Sequence, residues 1–180
     1  MTTPVLSIRE LTPADIDPIT DYWFAADRDF LQAMGADIDK LPTREQWKAM
    51  LAKQIGQDYP EKKSYCLIWL VDGEPVGHSN VNQISFGHEA HMHLHIWHAN
   101  GRAKGYGAKL VKLGLPYFFE NLQLQKIICE PYALNPAPNK TLAKVGFRFI
   151  REYITTPGFI NFEQPVTRWE ITREQWKVEN

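Results

Sequence analysis

Between Ala90 and Asn121 the chain changes its hydrophobic period within a few residues, and this constrains the fold more than any other stretch. His91, His93 and His95 alternate with Met92, Leu94 and Ile96, the period of two that sends imidazoles to one face of a strand and apolar side chains to the other. The turn Arg102-Ala103-Lys104-Gly105-Tyr106-Gly107 follows. From Lys104 to Asn121 the spacing of Leu110, Val111, Leu113, Tyr117 and Phe118 predicts a helix, which Pro116 is expected to kink.

The flanking segments extend this strand, glycine turn and helix into a larger pattern. Val5 to Arg9 alternates as a short strand, and Thr12-Pro13-Ala14-Asp15 supplies a cap and a first-turn proline for a helix to about Trp23. A second helix opens at Leu41-Pro42-Thr43, where Thr43 and Gln46 have capping-box spacing and Trp47, Met50, Leu51 and Ile55 mark an apolar face. Its hexapeptide Thr43 to Lys48 recurs as Thr172 to Lys177, one helix-start solution used twice. Tyr65 to Val71, the turn Asp72-Gly73 and Pro75 to Ser85 predict a hairpin, and Ala90 to Trp97 completes an antiparallel meander. Gln125 to Glu130 reads as a buried strand, Asn139 to Lys144 as a short helix ending at Gly146, and Phe147 to Ile154 and Val166 to Ile171 as the last strands. This order is mixed α/β, neither a sandwich nor a doubly wound sheet, and it is expected to occupy residues 1–180 as a single domain.

The balance of 20 basic against 21 acidic residues, with a formal net charge of -1, offers no global field for nucleic acid or an anionic membrane. Neither partner is expected. No apolar run approaches the roughly 20 residues of a spanning helix, and Met1 to Arg9 lacks the basic start and apolar run of a secretory signal. Cys66 and Cys129, the two cysteines of the chain, lie in apolar strand-like runs and are expected to be reduced, buried thiols of a cytoplasmic protein.

The glycine turn has a chemical reading beside its structural one. Two glycines let backbone approach a ligand, and the free amides and dipole of the following helix favour a pyrophosphate, with Arg102 and Lys104 adding charge. A glycine turn before a helix is equally just a turn, and the string is neither the dinucleotide fingerprint nor the Walker loop. Further along stand Asn135, Leu142, Lys144 and the pair Gly146-Phe147 opening a strand. Strand, R-x-x-G-x-G, helix, strand, Asn, helix and Gly-Phe in this order resemble the GNAT superfamily of N-acetyltransferases, over at least Leu67 to Ile154.

The resemblance implies a mostly antiparallel, splayed central sheet flanked by helices, with acetyl-CoA as cosubstrate and no metal requirement. The pantetheine arm would pair with the backbone of Ile96, Trp97 and His98 beside the splay. The pyrophosphate would sit on the amides of Ala103, Lys104, Gly105, Tyr106, Gly107 and Ala108. Asn135 would meet the pantetheine, and Asn139 is either a further contact or the cap of its helix.

Members of this superfamily transfer acetyl directly to an amine that must first lose a proton. A histidine titrating near neutrality suits that task, and His91 and His93 are similar in placement to the paired histidines of the arylalkylamine N-acetyltransferase branch. His93 is therefore the expected base with His91 assisting, and Glu130 is a second base or a partner that orients a histidine. Two other readings of the imidazole face stay open: a metal site, for which His78 would have to supply a third ligand, and a purely structural role. The usual thiolate-protonating Tyr is replaced by Leu142, so Tyr132 or a water would have to serve, and a CoA-binding module without transferase activity is the rival. Residues Glu10 to Asp39 carry eight acids against Arg28 alone, which suggests a cationic small-molecule amine as acceptor or a solvated helix face. The loop Pro157 to Pro165 is a place for substrate access or a homodimer contact.

Overall fold

Asp72 and Gly73 both take positive φ, 51° and 84°, a geometry whose twist matches that of paired strands. They close the hairpin of β2 (Ser64–Val71) and β3 (Glu74–Ser85). The computed structural model describes residues 3–98, 102 and 104–179. β1 (Leu6–Glu10) lies antiparallel to β2, and β4 (Glu89–Ile96) returns antiparallel along β3. β5 (Lys126–Cys129), β6 (Arg148–Thr155) and β7 (Gln164–Thr172) complete a seven-stranded sheet of order β1-β2-β3-β4-β5-β7-β6. Among these pairs only β4 and β5 run parallel.

That parallel pair is short. β5 meets β4 through Lys126, Ile127 and Ile128, opposite Glu89, Ala90 and His91, and stops at Cys129 while β4 continues to Ile96. The strands part into a fork, so the mixed α/β architecture with a mostly antiparallel, splayed sheet is the one observed.

Helices flank both faces. α1 (Ile16–Phe24), α2 (Arg28–Ala33) and α3 (Arg44–Lys53) cover one, where Trp23, Leu31 and Trp47 pack against Cys66, Ile68 and Trp97. α4 (Tyr106–Asn121) and α5 (Pro136–Val145) cover the other, with Leu110, Phe118 and Leu142 against Leu67, Trp69 and Met92. α6 (Arg173–Glu179) follows β7 and stacks Trp176 on Phe119, ring centroids 5.0 Å apart. The repeated hexapeptide does start two helices in one way. Thr43 Oγ1 accepts from Gln46 N at 3.2 Å and Thr43 N donates to Gln46 Oε1 at 2.9 Å; Thr172 and Gln175 repeat both bonds at the same distances.

Three boundaries differ from expectation. The segment after α1 is not simply a loop, because Asp27 accepts from Phe30 N at 2.7 Å and nucleates α2, burying Leu31. α4 starts at Tyr106 rather than Lys104, since Gly105 is left-handed. α5 starts at Pro136, a residue pre-set for a first turn, so Asn139 lies inside it and is not its cap. α4 continues through Pro116 to Asn121, held by buried Leu115, Phe118 and Phe119 on its sheet side.

Both thiols are free and buried, Cys66 under α1 to α3 and Cys129 under α4, and burial pushes both above the usual thiol range.

Candidate active site

The α4 N-terminus is built to be open. Gly105, its N-cap, has φ 76°, a conformation that side chains strain to adopt, and a Cβ there would meet no neighbour. The following amides of Tyr106, Gly107 and Ala108 belong to a first turn whose N–H groups have no partner inside the helix. No side chain caps them and the turn holds no acid, so they can receive an anion. Exposed Lys104 stands just before them. Ala103 lies outside the described residues. Arg102 is turned toward the fork: its Nε and Nη2 donate to Ile96 O at 3.3 and 3.2 Å, and its guanidinium lies 4.2 Å from the centre of the Phe30 ring on α2.

The backbone groups that line the fork are those of alternate β4 residues. Trp97 N donates to Val76 O at 2.9 Å, so its N–H serves β3 and does not face the opening. Strand alternation then turns the N–H and C=O of Leu94 and Ile96 away from β3 toward the side where β5 has ended. Of the three residues expected to offer backbone to an extended ligand, Ile96 faces the opening and Trp97 does not, while Leu94 faces it too. His98 is exposed just past β4.

The imidazoles do share one face, and each has its own partner. His78 on β3 sits opposite His95 on β4, ring centroids 4.9 Å apart. Trp97 Nε1 donates to His78 Nδ1 at 2.7 Å, and Tyr22 Oη of α1 lies 3.0 Å from His95 Nδ1. His93 Nε2 lies 3.0 Å from Asn82 Oδ1, and His91 Nδ1 lies 3.8 Å from Glu130 Oε2. Burial, aided by neighbouring imidazoles, lowers His78 to about 3 and His93 to about 4, and takes His95 well below its ordinary value. His91 is lowered too, by burial and Arg168, against the pull of Glu130. The expectation of an imidazole titrating near neutrality is thus corrected: burial under α1 to α3 holds all four below the ordinary value and favours the neutral ring.

Glu130 is clamped. Its Oε1 accepts from Arg168 Nη1 at 3.1 Å and from the Tyr153 hydroxyl, while Arg168 Nε donates to Glu170 at 2.8 Å. A carboxylate held in this way orients His91 better than it removes protons.

Asn135 caps α5 without a side-chain bond to it. Asn139 directs Nδ2 to Tyr132 O at 3.2 Å and Asn135 O at 2.8 Å and accepts from Trp169 Nε1 at 2.8 Å, so its amide ties α5 to β7. Leu142 is fully buried in the core and Tyr132 packs its ring edge-on to Phe162. Half of the acid-rich segment is paired, mostly by bases from outside it: Arg9 pairs with Asp15, Lys48 with Asp17 and Arg44 with Asp21, while Arg28 reaches Asp39. Among the described residues no group of three or more His, Cys, Asp and Glu side chains gathers as a metal site.

Sequence reasoning missed Asn82, Tyr153 and Arg168. Asn82 was within reach of it, since the hairpin register sets it opposite His91. Tyr153 and Arg168 meet Glu130 only through long-range strand pairing, which has no local signal.

A fork between two parallel strands, an uncapped helix N-terminus behind a left-handed glycine and oriented imidazoles at the fork occur together here. The GNAT acetyltransferase domain family matches residues 6–148. The chain belongs to the GNAT acetyltransferase family. It is an N-acetyltransferase that draws acetyl from acetyl-CoA and delivers it to an amine. Spermidine N-acetyltransferase from Vibrio cholerae, solved with CoA and spermine, has a TM-score of 0.77 to this acetyltransferase at 18% identity, covering 96% of this chain and 98% of that one. RimL, a ribosomal L7/L12 α-N-protein acetyltransferase solved with coenzyme A, gives 0.76 at 11% identity over 97% of each chain. Both show likeness of fold. A search of curated proteins found no sequence match.

Proposed function

We propose that this acetyltransferase acts in the cytoplasm on a small-molecule primary amine that carries further positive charge. The observation that carries the site is the fork: β4 runs on beyond β5, leaving the backbone of Leu94 and Ile96 without a strand partner on that side, next to oriented His91 and His93 and before the uncapped start of α4. Acetyl-CoA supplies the activated acetyl thioester. The amides of Gly105, Tyr106, Gly107 and Ala108, with Lys104, would hold its pyrophosphate, and the Leu94–Ile96 backbone its pantetheine arm, which requires Arg102 to leave Ile96 O. Asn135, at the head of α5, would meet that arm from the β5 side.

His93 takes the proton that the amine must lose, through the lone pair its neutral ring carries. His91, backed by Glu130, stands next along β4 and passes it toward solvent. A cationic acceptor is supported by the spermine-bound structural neighbour; Glu130, paired with Arg168, and the paired acids of the α1 to α2 region add little. Two free buried thiols suit a reducing compartment.

Calorimetry with acetyl-CoA, wild type beside Gly105→Glu, tests the cofactor site: the variant adds strain and a carboxylate at the anion site and should lose at least about tenfold in affinity. Thiol release from acetyl-CoA with spermidine and other di- and polyamines, beside monoamines, then tests the acceptor. His93→Ala should lower kcat by about a hundredfold or more. Turnover equal to wild type in His93→Ala would remove it from the proton path, and preference for neutral or peptide amines would overturn the acceptor class.

A further inference from the structure

We infer that Asn82 is a positioning residue for catalysis, fixing His93 in the tautomer that presents its Nδ1 lone pair. The inference rests on the reading of His93 as proton acceptor and extends it to the residue that prepares the ring. His93 Nε2 and Asn82 Oδ1 are 3.0 Å apart. A carboxamide oxygen has no hydrogen to give, so the bond forms only when Nε2 carries the hydrogen, and the proton taken from the amine can then enter at Nδ1 alone. As it does, the amine N–H bond breaks, the Nδ1–H bond forms, and the neutral imidazole becomes an imidazolium still held by Asn82.

The backbone around Asn82 is shaped for this contact. Asn82 faces His91 in the strand register, and its side chain reaches diagonally to His93, a geometry open to same-face neighbours on adjacent strands. Immediately after it the β3–β4 register breaks, and Gln83 takes φ 48°, a left-handed conformation that a side chain adopts at a cost. Gln83 Nε2 donates to Pro157 O at 3.4 Å, tying the bulge to the loop between β6 and β7. A side chain on such a bulge is aimed by the backbone rather than by chance.

The groups that act on His93 are His91 on its own strand and Glu130 just past β5; His93 in turn acts on His78 of β3 and His95 of β4, with Tyr22 of α1 beyond His95. Asn82 is the neighbour bonded to the ring, and it is neutral. Replacing it by a carboxylate keeps the acceptor and adds charge; replacing it by an isostere without oxygen removes the acceptor.

The test is 15N NMR of histidine-labelled protein, wild type with Asn82→Asp and Asn82→Leu, each first shown by calorimetry to bind acetyl-CoA. Wild type should show His93 with Nε2–H. Asn82→Leu should lose that preference, and Asn82→Asp should move the ring's titration up by about one pH unit or more. With spermidine as acceptor, or whichever amine proves active, Asn82→Leu should lose about 10–100-fold in kcat with little change in KM for acetyl-CoA, the scale typical of lost outer partners. An Nδ1–H tautomer in the wild type, or an unshifted His93 in both variants, overturns the inference whatever the acceptor. Wild-type turnover in Asn82→Leu overturns it while His93→Ala remains impaired, and wild-type turnover in His93→Ala fells the base assignment beneath it.

Discussion

Along β1 to β4, one sheet face lies beneath α1, α2 and α3; apart from the Arg9–Asp15 pair at its β1 edge, its histidines His78, His93 and His95 are kept neutral and bonded to uncharged partners: Trp97, Asn82 and Tyr22. The same face continued over β5 and β7 carries an ion-pair ladder instead. Lys126 reaches Glu89 at 3.0 Å and Glu170 at 3.8 Å, and Arg168 reaches Glu170 at 2.7 Å and Glu130 at 3.1 Å, with every side chain but that of Glu130 partly open to water. The contrast is one of pairing: burial favours the neutral ring where no carboxylate is in reach, and beyond β4 each charge is held by an opposite one. His91 and Glu130 stand at the seam, and the fork opens there.

If the covered half depends on packing and the open half does not, truncation should separate them first. Trp23→Ala, 5% exposed in the core under α1, should cost about 3–5 kcal/mol. Lys126→Ala, its side chain 30% exposed in the ladder, should cost less than about 1 kcal/mol. Chemical denaturation of both variants checks this, and similar losses would break the distinction.

Acid should act on the covered half next. His78 and His93 titrate at about 3 and about 4 when folded, below the ordinary value of 6.5. The unfolded chain therefore binds protons first, and stability is full above about pH 6.5 and falls as pH drops toward the folded values. Each such histidine should remove about 2 kcal/mol between pH 6.5 and 5, read as a falling denaturation midpoint. Tyr22→Phe should cost about 1–3 kcal/mol by leaving His95 Nδ1 without its hydroxyl, and it should leave acetyl-CoA affinity unchanged.

How much of this could be read from the chain depends on the range of the interaction. The strand of alternating histidines, the Asp72-Gly73 turn, the twin capping boxes and the Gly105 turn are all set within a few residues, and each stands where its local chemistry placed it. Motif order was enough to expect the splay. The protonation of the imidazoles was misread because alternation shows which residues share a face, whereas the burial of that face is set by α1 and α2 closing over it. The acid-rich segment misled for a similar reason: its neutralising bases, Arg9, Lys48 and Arg44, come from β1 and α3. Arg168 and Tyr153 reach Glu130 only because β7 inserts between β5 and β6, an order that no local pattern spells.

The smallest effect tests the seam itself. Arg168 lowers His91, while Glu130 raises it, so Arg168→Met removes a cation and leaves the carboxylate held by Tyr153. His91 should then titrate higher in an NMR pH series, with His93 following less because it is farther along β4. Because the His91–Glu130 attraction is no longer opposed, the acid limb of kcat/KM should move to higher pH if His91 passes the proton onward. A limb that stays in place while the His91 resonance moves would confine proton transfer to His93, and the seam would then divide catalysis from its scaffold as sharply as it divides the neutral half of the face from the ion-paired one.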